Sequence, residues 1–204
     1  MPILTILRPL PGASREALSA ALRRRAPAAA RPLPRPALRL LPLARRAAAL
    51  ALGDVAAPEL VAHRYRVDTA IPKDGPFGPF GLLTLIRRRP GMDDATFTRR
   101  WFEGHSPLAM AVHPMVRYER HVVREPLSGA PPLDGVVLEH FRELRDVTDP
   151  RRFFGGRGRP LADALHVALD AAGFLDLRAI ENHLVAIPGS AWGLERDPDH
   201  ALSP

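Results

Sequence analysis

The chain repeats itself at a constant offset of 79 residues. Ile3-Leu4-Thr5-Ile6-Leu7-Arg8 is matched by Leu82-Leu83-Thr84-Leu85-Ile86-Arg87, and after two further residues each run meets Pro-Gly, at Pro11-Gly12 and Pro90-Gly91. Ser14 then stands opposite Asp93, Leu18 opposite Phe97 and Leu22 opposite Trp101. After a slip of one residue, Pro27 matches Pro107, Pro34 matches Pro114, and Leu38-Arg39-Leu40 falls opposite Tyr118-Glu119-Arg120. A series of matches kept in order marks two copies of one supersecondary unit. Such a unit has an apolar face that it cannot bury alone, so the two copies are expected to cover each other.

The second copy reads as strand, helix, strand, strand, helix, strand. Residues 81–87 are a short apolar run ended by Arg88, Arg89 and Pro90, which predicts a strand closed by a turn. Asp93 or Asp94 then caps a helix over 93–104, with Gly104 as its stop. Strands are predicted over 115–123 and 135–141, a broken helix over 144–175 around the glycines at 155, 156 and 158, and a closing strand over 179–188. This is the ferredoxin-like order, and right-handed crossovers place its first and third strands in the middle. The first copy fits a shorter version, with strands at 2–8, 37–43, 47–52 and 64–71 and helices at 14–25 and 56–62. The expected fold class is α+β: two tandem ferredoxin-like βαββαβ repeats packed sheet to sheet as an intrachain dimeric α/β barrel. The first repeat takes residues 1–72, a Pro/Gly linker 73–80, the second repeat 81–188, and a tail with Trp192 residues 189–204.

Composition removes several function classes. The absence of cysteine excludes disulfides, thiolate catalysis, Fe–S clusters and cysteine zinc sites, so packing must hold the fold. No apolar run reaches ~18 residues, so no segment is expected to span a membrane. Met1 to Leu7 is apolar but lacks the basic start of a signal peptide, and the expected location is cytoplasmic. The net charge of +7 concentrates in residues 17–53, which hold many arginines and no acid. That stretch has no aromatic residue to stack on bases, so no nucleic-acid partner is expected. The eight histidines show no His-Glu-x-x-His and no i, i+4 pair, which predicts no metal site. There is no Gly-x-Ser-x-Gly elbow, and the glycines at 155–158 lack a phosphate-loop lysine.

Candidate site residues gather in the second copy. Phe97, Trp101 and His105 follow at i, i+4, i+8 and share one helix face. An imidazole there can act as acid or base near neutral pH. Its competing reading is a cap on the last helical carbonyls. Tyr118 and Arg120 share a strand face, where a phenol and a guanidinium could hold a carboxylate or phenolate; a solvated edge is the alternative. His140, on the neighbouring strand, approaches either Tyr118 or His121 according to register. Glu181 and His183 share a face of the closing strand, and His113, before Pro114, reads as a helix cap.

These residues carry a resemblance. Arg87-Arg88-Arg89-Pro90-Gly91-Met92, Phe97, Trp101, His105-Ser106-Pro107-Leu108-Ala109 and Val116-Arg117-Tyr118 resemble the EthD family over residues 82–125. The family's pattern is a basic residue near a Pro-Gly-Met turn, an aromatic helix, a Trp before His-x-Pro-Leu and a strand with Arg-Tyr. The resemblance implies a dimeric α/β barrel around a central cavity, here closed within one chain. The first copy has Leu22 where the second has Trp101 and Leu38 where it has Tyr118, so one site rather than two is implied. The implied function is binding of a small apolar, aromatic or polyketide-like molecule. Cofactor-free lyase or isomerase chemistry would follow, with His105 moving the proton, Tyr118 donating to a developing enolate, and Phe97, Trp101, Arg120 and His140 holding the substrate. The alternative is a non-catalytic accessory protein of an oxygenase or degradation pathway. A homodimer of the intrachain barrel stays open.

Overall fold

The computed structural model describes residues 1–26, 29–33, 48–127 and 129–188. The expected strand at 37–43, Pro27, Pro34 and the tail with Trp192 lie outside the described residues.

Eight strands form one sheet: β1 (Ile3–Pro9), β2 (Arg31–Pro32), β3 (Ala49–Leu52), β4 (Leu60–Lys73), β5 (Phe80–Ile86), β6 (Arg117–Leu127), β7 (Gly135–Phe141) and β8 (Glu181–Ala186). Their order is β2-β8-β5-β7-β6-β4-β1-β3, with antiparallel pairing throughout. An antiparallel bridge from Ala30, just before β2, to Leu50 of β3 joins the two ends. The sheet is thus a nearly closed barrel, which leaves few unpaired edges. Within residues 80–186 the order β8-β5-β7-β6 is the one that right-handed crossovers predict.

Both Pro-Gly turns do the same local work. In Leu10-Pro11-Gly12-Ala13 and Arg89-Pro90-Gly91-Met92 the glycines take φ of 82° and 81°, and the fourth residue's N–H donates to the first residue's carbonyl. This is the type II arrangement, with Pro at the second position and Gly at the third. Ser14 and Asp93 then cap helices by accepting from the N–H of Ala17 and Thr96. α1 runs Arg15–Arg25 and packs Leu18, Ala21 and Leu22 on Leu7, Ala49 and Ala51.

The second helix does not end at Gly104. α2 (Asp94–Arg99) continues through a π-helical segment (Arg100–His105) into α3 (Ser106–Val112), and the Ser106 N–H donates to the carbonyl of Trp101, five residues back. Without a positive φ, Gly104 does not stop a helix. The later helical region is in three pieces: α4 (Arg145–Thr148), α5 (Pro150–Phe153) and α6 (Pro160–Phe174). Pro150 and Pro160 each open a piece, where a missing N–H costs nothing. The helix expected at 56–62 is absent. Those residues lead into β4, which runs 14 residues because it pairs with β1 over its first half and with β6 beyond it, and ladder bonds on both sides outweigh alanine's helix propensity.

Strand alternation sorts the side chains to the inside or the outside of the barrel. Leu83, Leu85, Val136, Leu138 and Val185 meet Leu4, Ile6, Tyr65 and Val67 inside the barrel. Leu82, Ile86, Tyr118, Val137 and Phe141 point outward under α2, α3, α5 and α6, against Phe97, Trp101, Phe153 and Phe174. Exposed ion pairs such as Arg66–Glu125 and Arg124–Asp68 contribute about 0–1 kcal/mol each, so burial of these side chains, at about 1.5–3 kcal/mol apiece, dominates. No helix among the described residues is long and apolar enough to cross a membrane.

Candidate functional site

A cavity of about 290 Å³ lies between the outer face of β5–β8 and the helices. The resemblance implies a cavity at the centre of the barrel, and this one lies outside it. The barrel interior holds the apolar side chains named above and a buried polar group in which Arg117 Nε donates to Glu119 Oε1 at 2.6 Å and His140 Nε2 lies 3.4 Å from the same oxygen. Nearby, His121 Nδ1 and Thr69 Oγ1 are 2.9 Å apart. Burial alone would raise the pKa of Glu119. The hydrogen bonds from His140 and Arg117 outweigh it and hold the carboxyl below its ordinary range.

The outer cavity is mostly apolar. Leu82, Ile86, Val137, Phe153, Phe154, Val167 and Phe174 supply much of its wall, and Thr84, His105, His113, Tyr118, Glu139 and Asn182 its polar groups. Thr84 Oγ1 donates to Asn182 Oδ1 at 2.9 Å. Two histidines are each paired with a carboxylate. His105 Nδ1 is 2.7 Å from Asp170 Oδ2 of α6, and its ring packs 5.2 Å from that of Phe174. His113 Nδ1 is 3.1 Å from Glu139 Oε1 on β7, and its ring stacks on Phe153 at 4.0 Å. A neutral imidazole that donates from Nδ1 keeps its Nε2 lone pair available as an acceptor or base.

Tyr118 is fully buried beneath the π-helical segment. Trp101 Nε1 donates to its hydroxyl at 3.4 Å, and Ser106 Oγ lies 3.2 Å away. Burial raises its pKa against the opposing pull of those two bonds, so the phenol stays protonated. Arg120 Nη1 donates to Ser106 Oγ at 3.1 Å, and its guanidinium sits 3.4 Å over the ring of Phe102. Burial lowers its pKa, with the Tyr118 phenol opposing.

Of the residues singled out in the sequence, His105, Trp101 and Tyr118 line this cavity together. Phe97 lies one layer behind, its ring 5.5 Å from Trp101 and 5.9 Å from Phe174. Arg120 joins through Ser106 rather than through the wall itself. His140 is elsewhere: it opposes Arg117 in the sheet and faces the barrel interior with Glu119 and the Phe77 ring. Its odd step from Glu139 puts it on the other face. Glu181 and His183 share a face as expected, 3.3 Å apart, and Glu181 also binds Arg8 at the far side of the barrel. Sequence reasoning missed Glu139 and Asp170 and gave His113 only a capping role. The available signal was a carboxylate directly after the apolar run Val136-Val137-Leu138.

No family model matches the sequence, and no curated protein matches it. Among solved structures, the chain is similar to a protein from Fusobacterium nucleatum subsp. nucleatum named "Putative monooxygenase". The likeness spans 91% of this chain and 92% of that one with a TM-score of 0.52. The two sequences are 9% identical. What they share is the fold: mixed α+β around a nearly closed antiparallel sheet. Among the described residues no group of three or more His, Asp or Glu is arranged to hold a metal ion.

Proposed function

We propose that this chain is an EthD-like protein, two ferredoxin-like repeats closed into one barrel, that binds a small apolar, aromatic or polyketide-like molecule in the outer cavity and transforms it by cofactor-free acid–base chemistry. The observation that carries the reading is that His105, paired with Asp170, and Tyr118 both line one largely apolar cavity. The like Pro-Gly turns and helix caps at 11–14 and 90–93 support the repeat. The name of the Fusobacterium protein supports an enzyme on this fold, as an analogy only.

The chemistry follows from the partners. Asp170 holds His105 with Nδ1 as donor, and Nε2 takes a proton from a carbon next to a carbonyl. The charge moves to the carbonyl oxygen as an enolate. Tyr118 has Trp101 as a donor to its oxygen and keeps its own proton for Ser106 or for that enolate. Return of the proton from the imidazolium to another carbon completes an isomerisation; its delivery to a leaving hydroxyl completes a dehydration.

The test is α-hydrogen exchange of the two-ring ketone 2-tetralone in heavy water, read by mass spectrometry. The wild-type protein is expected to accelerate exchange, and His105→Ala to reduce that acceleration by about 10²-fold or more while keeping its circular dichroism. Tight binding of the ketone without acceleration would sink the enzyme reading. It would leave the second one, a binding protein, which the engagement of the Tyr118 hydroxyl by Trp101 and Ser106 favours.

A further inference from the structure

The second histidine pair of the cavity has an unmet requirement. His113 is nine-tenths buried at the C-terminal end of α3, where its backbone N–H donates to Ala109. Its Nδ1 is committed to Glu139 and its ring to Phe153, yet its Nε2 is buried without any hydrogen-bond partner. A buried imidazole nitrogen in a mostly apolar wall is costly unless a donor reaches it. In the neutral imidazole, donation from Nδ1–H to the carboxylate leaves the lone pair on Nε2, which then serves as an acceptor. His105 cannot fill the same role, because its side chain and that of Asp170 are three to four times more exposed than His113 and Glu139 and sit where water reaches them.

We infer that His113 is a specificity-determining residue: Nε2 accepts a hydrogen bond from a hydroxyl or N–H on the ligand at the buried end of the cavity. The protein therefore selects ring compounds that carry a donor over those that do not. The inference rests on the proposal that the cavity is a ligand site, and it is separate from the role given to His105. Glu139 is a positioning residue, since it acts through His113.

The test measures binding of 1-naphthol and of naphthalene to the full-length protein by isothermal titration. Wild type is expected to prefer the naphthol by about ten-fold or more, the scale on which a site built for a donor rejects an analogue that lacks it. His113→Phe keeps the stack on Phe153 and should abolish the preference while leaving naphthalene affinity unchanged, which a purely structural role would not do. If the single variant fails to fold because Glu139 is left without its partner, the double variant His113→Phe with Glu139→Gln removes the buried charge as well and gives the same readout. Equal wild-type affinities, or a preference that survives in the folded variant, would overturn the inference and leave the cavity standing. Binding of neither compound to wild type would overturn the cavity reading and this inference with it.

Discussion

Gly135 opens β7 directly against the indole of Trp101, and a Cβ there would lie 2.5 Å from Cη2 and 2.7 Å from Cζ3. Trp101 is itself fully buried under Phe97 and Phe102, so the ring has no space to retreat. Gly135→Ala is expected to cost about 1–3 kcal/mol, read as a lower urea midpoint with an unchanged slope. A second residue makes the fold sensitive to acid. Burial drives the pKa of His121 down to about 4, against a smaller upward pull from Glu119. Unfolded, the same histidine titrates near 6.5. Between those values the unfolded chain holds a proton that the native state refuses, so stability falls as pH falls, by about 3 kcal/mol over the whole window. Denaturation midpoints measured from pH 7 to 4 should show this decline. His121→Gln, which can still bond Thr69, should flatten it; a wild-type profile that is level over this range would refute the assignment.

At the scale of elements, the helix that carries the site depends on its π-helical segment. The five-residue bond from Ser106 to Trp101 places Trp101, His105 and Ser106 around Tyr118 and the cavity wall, which an unbroken α-helical register would rotate apart by about 100°. Glycine at 104 supplies no turn here. It is helical, exposed, and a Cβ would meet only Asp170 Oδ1 at 3.9 Å. Gly104→Ala is therefore expected to stabilise the protein by about 0.5–1 kcal/mol, seen as a higher thermal midpoint; a destabilised variant would mean that the segment needs glycine's freedom. The Pro-Gly turns, both caps and the strands flanking them were readable because each is set by residues within a few positions of one another. The absent helix at 56–62 was not, because β4 is decided by partners from both sides of the sheet.

At the scale of the molecule, the barrel interior is a joint property of the two halves. Leu4, Ile6, Tyr65 and Val67 come from one, and Leu83, Leu85, Val136, Leu138 and Val185 from the other. The β4–β6 ladder sews them together on one side, and β2 on β8 with the Ala30–Leu50 bridge does so on the other. Neither half can open without exposing the core of its partner. Native-state hydrogen exchange should accordingly find the central amides of β1 and β5 opening with the same free energy, equal to that of global unfolding. Markedly lower protection in β1 would show that the first half unfolds by itself.

The sequence by itself determined the local grammar: two like strand–turn–cap–helix openings, the apolar strands, and a second half that carries His105, Trp101 and Tyr118. Tertiary structure alone decided where the cavity lies and what completes it. β5 and β7 are buried and mostly apolar on both faces, so alternation could not say which face would meet the other half and which would lie under the helices. His105 meets Asp170 across 65 residues and His113 meets Glu139 across 26. Those pairings follow from how α6 packs on the sheet and from the register of β7, which are set by the burial of many side chains together and are written in no single stretch of the chain.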